Sequence, residues 1–382
     1  MKKEKIWLSS PHMGGKEQQY INEAFDKNWV APLGPNVSGL EEDIQDFLFT
    51  ENTIKGQVAA LSSGTAALHL ALILLGVKRG DEVICQSMTF AASANPIAYL
   101  GATPVFIDSE CDTLNLSPEY LREAVIDRIK KGKKPKAIVA VHLYGMPYKV
   151  DEIHTIAAEY DIPVIEDSAE ALGSSYKGKK CGTFGDIAVL SFNGNKIITT
   201  SGGGALISKT MEHKKRAVYL ATQARDDAPH YQHSEIGYNY RMSNICAGIG
   251  RGQMRVLDDR VKERRKMNSF YEQIFKNNSE IKVQKEPTND YFCNHWLSVI
   301  FFKSGPNQFS KEGLRLHLEK ENIESRPLWK PMHMQPVFAD APFYGSNEAE
   351  DLFLRGLCLP SGSNLTEEDR GRISKSIQNY IN

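Results

Sequence analysis

Apolar residues along this chain fall in short dense runs that end in small or polar residues. The runs are Val58–Leu61, Glu82–Cys85, Pro104–Ile107, Ala137–Val141, Pro163–Ile165, Ile187–Phe192 and Ala205–Ile207. Each is about strand length and most are rich in valine and isoleucine, the pattern of strands buried on both faces. Helical patterns lie between many of them: Ala66–Leu75, Pro118–Ile129 with Ser117 as N-cap, and Val150–Tyr160. Such alternation predicts an α/β fold with a parallel or mixed sheet covered on both faces. After Arg251 the chain changes character. It is charged and helical to about Asn277, then reads as a strand over His295–Phe302, a helix over Lys311–Glu321 and a last helix from Thr366. These features predict a large domain over residues 1–255, including the N-terminal segment, and a smaller C-terminal α/β domain over 256–382. The N-terminal stretch is expected to pack against one of the two. No internal repeat or low-complexity linker is visible.

Composition narrows the function classes. The chain has 382 residues, 41% hydrophobic and 24% charged, enough for two globular domains and a core needing neither disulfides nor metal. Its 46 basic and 47 acidic residues leave a net charge of -1, which argues against nucleic acid or an anionic membrane as partner but allows a local anion pocket. The runs Lys130-Lys131-Gly132-Lys133-Lys134 and Lys214-Lys215-Arg216 read as solvated surface. Six cysteines are widely spread with no Cys-x-x-Cys pair, so no disulfide framework or metal site is expected, and a reducing cytoplasm fits. Met1–Trp7 is charged, and no apolar stretch like that of a signal peptide follows it. The most apolar run, Ala66–Val77, contains His69 and is too short to span a bilayer, so it reads as a buried helix.

In open α/β sheets ligands bind beyond the carboxyl ends of strands, so the polar residues that follow the apolar runs carry the chemistry. Ser62-Ser63-Gly64-Thr65 follows the first run and opens a helix, where small residues and free N–H groups suit an anion; an ordinary N-cap and tight turn is the alternative. Val164-Ile165-Glu166-Asp167 is a strand ending in two acids that alternate in direction. One of them can reach a ligand, and an aspartate there could keep a pyridine nitrogen protonated; a loop-bracing acid is the alternative. Ser191-Phe192-Asn193-Gly194-Asn195-Lys196 leads from a buried strand to a lysine, and Gly202-Gly203-Gly204 follows before the next strand. Desolvated lysines favour imine chemistry, whereas a surface lysine in a glycine-rich loop would be inert. Phosphate-type turn, strand-end aspartate and lysine occur in the order that a pyridoxal 5'-phosphate (PLP) enzyme requires.

Together with other spaced motifs, these segments resemble the DegT/StrS family of sugar aminotransferases over nearly the whole chain. The matching segments include Asn28-Trp29-Val30-Ala31, Ser63-Gly64-Thr65-Ala66-Ala67-Leu68-His69, Thr89-Phe90-Ala91-Ala92-Ser93-Ala94-Asn95 and His142-Leu143-Tyr144-Gly145. Others are Glu166-Asp167-Ser168-Ala169, Gly237-Tyr238-Asn239-Tyr240-Arg241-Met242 and Pro331-Met332-His333. The resemblance implies the type I, aspartate aminotransferase-like PLP fold, an α/β fold with a large mixed, mostly parallel sheet domain and a smaller C-terminal α/β domain. It makes Lys196 the residue that bonds to the cofactor aldehyde and later moves protons, and Asp167 the acid facing the pyridine nitrogen. Phe90 would stack on the ring, and Gly64, Thr65 and Ser191 would bind the phosphate. Asn239 would reach the phosphate of a neighbouring subunit, which implies a homodimer with shared active sites. His333 would lie on the substrate side; a polar loop histidine is the alternative.

Two departures stand out. Glu170 occupies a position that is often Gln or His in the family, and an acid near the cofactor's phenolic oxygen is repelled unless protonated or turned away, so no role is assigned to it. Gly202-Gly203-Gly204 lacks the acid of the frequent Gly-Glu-Gly-Gly loop. With Asn193–Lys196 and Asp108-Ser109-Glu110, this loop is similar to the branch acting on UDP-linked N-acetylated 4-keto-6-deoxyhexoses. The implied reaction is ping-pong. Glutamate gives its amino group, and a nucleotide-linked 2-acetamido-2,6-dideoxy-4-keto-hexose leaves as the 4-amino sugar, for a bacterial surface glycan. Another keto-sugar or a keto-cyclitol is an alternative substrate. Sugar dehydration is disfavoured because family members of that type carry histidine in place of the lysine. A non-catalytic regulatory protein with this fold is disfavoured by the Lys196–Asp167 pair.

Overall fold

The structure is a computed structural model that describes residues 4–49, 55–303 and 309–381. Seven strands from the first part of the chain form the main sheet: β1 (Gln57–Leu61), β2 (Glu82–Gln86), β3 (Thr103–Ile107), β4 (Ala137–Val141), β5 (Val164–Asp167), β6 (Ile187–Ser191) and β7 (Gly204–Ser208). Their spatial order is β1-β7-β6-β5-β4-β2-β3, and a short strand from far down the chain, Phe343–Tyr344, joins the β3 edge. Only β7 runs against the others. Side chains alternate between two cores: Val83 and Cys85 enter one, Ile84 the other. Both faces are therefore covered, as the apolar runs predict.

The helix Gly64–Leu74 is buried on nearly every side, so it has no polar stripe. Burial of Leu68, Leu70 and Leu72 contributes roughly 1.5–3 kcal/mol each. The helix Pro118–Lys130 starts where expected, with the Ser117 hydroxyl accepting the Tyr120 N–H. The fifth strand ends in two acids, as the sequence reading has it. It begins at Val164 and runs through Glu166 and Asp167, which pair with Ala140 and Val141 of β4. A run defined by hydrophobicity stops at Ile165, but the ladder is made by backbone groups and continues under the two acids. By contrast, the strand expected over His295–Phe302 starts at Ser298, because His295 has a φ of 48° that no strand accommodates.

A second, antiparallel sheet has the order β8-β9-β11-β10, from β8 (Ile281–Val283), β9 (Ser298–Phe302), β10 (Arg326–Pro327) and β11 (Gly356–Leu359). Helices Leu257–Ile274, Lys311–Lys320 and Glu367–Ile381 pack on its core. The N-terminal segment docks here. Ile6 exchanges backbone hydrogen bonds with Asn322 and Glu324, and its side chain joins the same core. Arg264, from the long charged helix, is fully buried and pairs with no acid among the described residues. It donates to the carbonyls of Trp296, Ser361 and Lys196 and to the Ser9 hydroxyl. Burial pushes its guanidinium down to about 9, still charged at neutral pH. Among the described residues, no helix is long and apolar enough to cross a membrane.

Candidate active site

A cavity of about 170 Å³ opens at the carboxyl ends of the parallel strands, and six of the residues singled out in the sequence line it: Gly64, Thr65, Phe90, Asp167, Ser191 and Lys196. Gly64 and Thr65 begin the helix after β1, where first-turn N–H groups have no intrahelical acceptor. The Ser63 hydroxyl caps this end by accepting the Ala66 N–H at 3.0 Å. Ser191, at the end of β6, lies alongside: a Cβ on Gly64 would come within 3.4 Å of its Oγ. Gly204 of β7 closes the floor, and a Cβ there would fall 2.4 Å from the Gly64 nitrogen, so only glycine allows strand and helix start to meet.

Asp167 ends β5 with its side chain toward the cavity. It accepts the Ser93 hydroxyl at 2.7 Å and the Ala169 N–H at 3.2 Å. Burial pushes its carboxyl above the ordinary range, against the pull of those donors and of Lys196. Glu166 points to the opposite face, where its two oxygens accept from His142 Nε2, Ser168 Oγ and the N–H groups of Gly182, Phe184 and Gly185. Though fully buried, its carboxyl is held down at about 2 by the His142 bond and these backbone donors, which outweigh desolvation. Glu166, His142 and Cys181 are the only cluster of three possible metal ligands among the described residues, and the acid's oxygens are already taken by these donors. The cluster is a clamp between strands.

Lys196 sits in the turn after β6. Its Nζ lies 3.2 Å from Glu170 Oε1 and 4.0 Å from the centre of the Trp296 ring. Glu170 Oε2 accepts the Tyr144 N–H at 2.7 Å, holding Tyr144 in a left-handed turn (φ 54°). Trp296, Tyr144, Trp329 and Phe90 follow one another at ring spacings of 6.4, 6.0 and 5.4 Å. Phe90 is 53% exposed at the cavity, an aromatic face left open for a flat partner.

Two predicted residues lie elsewhere. Asn239 is exposed and does not line this cavity. His333 does not line it either: Nδ1 pairs with Ser87 Oγ at 2.6 Å, Nε2 faces Glu350 Oε1 at 3.1 Å, and the ring stacks on Phe343 at 3.8 Å. Asp108, part of the stretch similar to the UDP-sugar branch, is fully buried and accepts the N–H groups of Ser346, Glu348 and Ala349, fastening the start of the helix Glu348–Arg355. Asn193, Asn195, Gly202 and Gly203, from the other stretches, do line the cavity. Trp296 and Trp329 were not singled out by sequence reasoning; the only signal was that tryptophan is rare here, with 4 in the chain. A larger groove, of about 870 Å³, lies between the N-terminal segment and the last helix and shares no lining residue with this cavity.

The donor set fits PLP: free helix N–H groups and two hydroxyls for a phosphate, a buried acid for a ring nitrogen, an open aromatic face, and an amine for an aldehyde. Comparison with known proteins agrees. Residues 11–378 match the DegT/DnrJ/EryC1/StrS aminotransferase family. EpsN of Bacillus subtilis (strain 168), assigned as a pyridoxal phosphate-dependent aminotransferase, is 51% identical over 97% of this chain and 94% of its own. GDP-perosamine synthase of Escherichia coli O157:H7 is 38% identical over 98% of each chain. Among solved structures, the PLP form of Spr1654 from Streptococcus pneumoniae, assigned as a sugar aminotransferase, superposes with a TM-score of 0.88 at 26% identity, covering 99% of this chain and 98% of that one. The chain belongs to the DegT/DnrJ/EryC1/StrS family, has its type I fold and is a PLP-dependent aminotransferase.

Proposed function

We propose that this aminotransferase moves the amino group of glutamate onto the 4-keto carbon of a nucleotide-linked 6-deoxyhexose, producing a 4-amino sugar for a bacterial surface glycan. The observation that carries the reading is the convergence of Lys196, Asp167 and the Gly64–Thr65 helix start in one cavity. PLP, when bound, supplies the electron sink that stabilises a carbanion at the carbon bearing the amino group. The protein supplies the rest. Gly64, Thr65 and Ser191 would hold the phosphate; Asp167 would keep the pyridine nitrogen protonated; Phe90 would pack on the ring. Lys196 Nζ takes a proton from one carbon and returns it to another. His333 acts from behind, by fixing Ser87, two residues before Thr89 of the cavity wall.

The cavity is smaller than the roughly 300–1,000 Å³ of usual ligand sites, so it accommodates a cofactor ring rather than a nucleotide sugar as well. A homodimer with shared sites supplies the missing walls, and the exposed Asn239 reaches the phosphate bound by the neighbouring subunit. The division into residues 1–255 and 256–382 belongs to the same proposal, since Trp296 and Trp329 bring the second part to the cavity. A cytoplasmic location suits the six free cysteines.

The first reading of the sugar is a UDP-linked N-acetylated 4-keto-6-deoxyhexose, on the strength of Asn193–Lys196 and Ser201–Gly204. A GDP-linked 4-keto-6-deoxyhexose is the second, favoured by the name of the 38% identical relative. An absorbance titration of the PLP-loaded protein tests both. Glutamate should remove the visible band of the lysine-bound cofactor, and the correct keto-sugar should restore it. Restoration by neither sugar would overturn the substrate class. Lys196→Ala should lower steady turnover by at least about 10²–10⁴-fold, the usual share of positioned proton transfer. Near-normal turnover in that variant would sink the assignment.

A further inference from the structure

Two carboxyls and one ammonium line the cavity, namely Asp167, Glu170 and Lys196, and no other lysine or arginine is among its lining residues. With all three ionised the cavity is net negative before any phosphate enters. A dianion at the Gly64–Thr65 helix start adds like charge to a site where Glu170 is only 5% exposed. A proton on one carboxyl relieves this. Asp167 does not suit that part, because its proposed work against a pyridinium needs the carboxylate. Glu170 does. Its Oε1 lies 3.2 Å from Lys196 Nζ, and Oε2 is already satisfied by the Tyr144 N–H.

We propose that Glu170 is the proton store of this site, receiving the proton that Lys196 gives up when it reacts and remaining a neutral carboxylic acid while cofactor is bound. The inference rests on the proposed role of Lys196. Bond formation at Nζ would require the free amine, whose two hydrogens would leave with the aldehyde oxygen as water. One N–H bond breaks, its electron pair stays on Nζ, and a new O–H bond forms at Glu170 Oε1. No other reactant is needed. Burial pushes the Glu170 carboxyl up, opposed by Lys196 and the Tyr144 N–H and reinforced by Asp167. The titratable groups facing it are these two charged residues, the Tyr144 phenol and the Cys358 thiol from β11.

The plain competitor is that Glu170 only braces the Tyr144 turn. Glutamine at 170 separates the two, since its carbonyl still accepts the Tyr144 N–H but its amide stores no proton. The full chain, stripped of cofactor, is reloaded with PLP in weak buffer containing a pH indicator. Wild type should take up about one more proton per site than Glu170→Gln. Infrared difference spectra of loaded minus stripped protein should show the carbonyl band of a buried carboxylic acid, absent from the variant. Equal proton counts, or no acid band in wild type, would overturn the proposal. The wild-type band decides even if Glu170→Gln fails to fold. Visible absorbance on loading reports Lys196 separately. Its absence overturns the reading of Lys196 and this inference with it, whereas absorbance with equal proton counts removes only the role of Glu170.

Discussion

Burial holds the Asp167 carboxyl above its ordinary range, so the ionised form that the chemistry needs is disfavoured by the cofactor-free fold. A raised carboxyl destabilises the folded state at neutral pH, and the penalty disappears as pH falls below the folded value toward the unfolded one. Cofactor-free Asp167→Asn should therefore be more stable than wild type at neutral pH, by roughly 0.5–2 kcal/mol, with turnover lost. Thermal melts at neutral and acid pH check this: an equal or lower melting point for Asn at neutral pH would contradict the strain. At this scale Asp167 and Lys196 were legible because they end or follow a recognisable apolar run, whereas Phe90 was marked only by the resemblance of its Thr89–Asn95 segment. Glu170 was visible as a departure but had no assignable role, because the fate of a buried acid depends on what lies within about 4–6 Å, and spacing along the chain does not report that.

Among the strands, Glu166 binds β5 to the residue after β4 and to the loop before β6. Its depressed carboxyl contributes stability that is full above the unfolded value and fades as pH falls toward about 2. Glu166→Gln places an N–H against existing donors and should cost roughly 3 kcal/mol at pH 7, shrinking to about half that near pH 3. Urea midpoints at the two pH values measure the gap; one that does not change with pH would show that the charge is irrelevant. The same residue shows how far sequence reading of elements reaches: the apolar run stops at Ile165, yet Glu166 and Asp167 were legible as the end of the strand. Phe343–Tyr344 is harder, since two residues that pair with β3 from more than two hundred positions away leave no local pattern. The main parallel strands were legible because burial on both faces makes them continuous apolar runs.

For the whole molecule, the proposed sharing of sites has an arithmetic consequence. Mixing Lys196→Ala and Asn239→Asp protomers, each inactive alone, should restore about a quarter of wild-type activity. Half the dimers are hybrid, and each hybrid has one intact site. Activity that stays at the sum of the two variants after subunit exchange would place Asn239 at its own chain's site. Asn239 owes its proposed role to resemblance, and a single chain holds no second copy to display it.

Ser9 Oγ donates to the Asn195 carbonyl, Arg264 grips both Ser9 and the Lys196 carbonyl, and Ile6 bonds through its backbone to Asn322 and Glu324. The amino end of the chain is thus hydrogen-bonded to the backbone of the turn that carries the reactive amine. A purification tag placed ahead of Ile6 bears on that linkage. Preparations differing only in such a leader should differ in how fast they become coloured with added cofactor, so a cleavable leader is the safer choice for every measurement above.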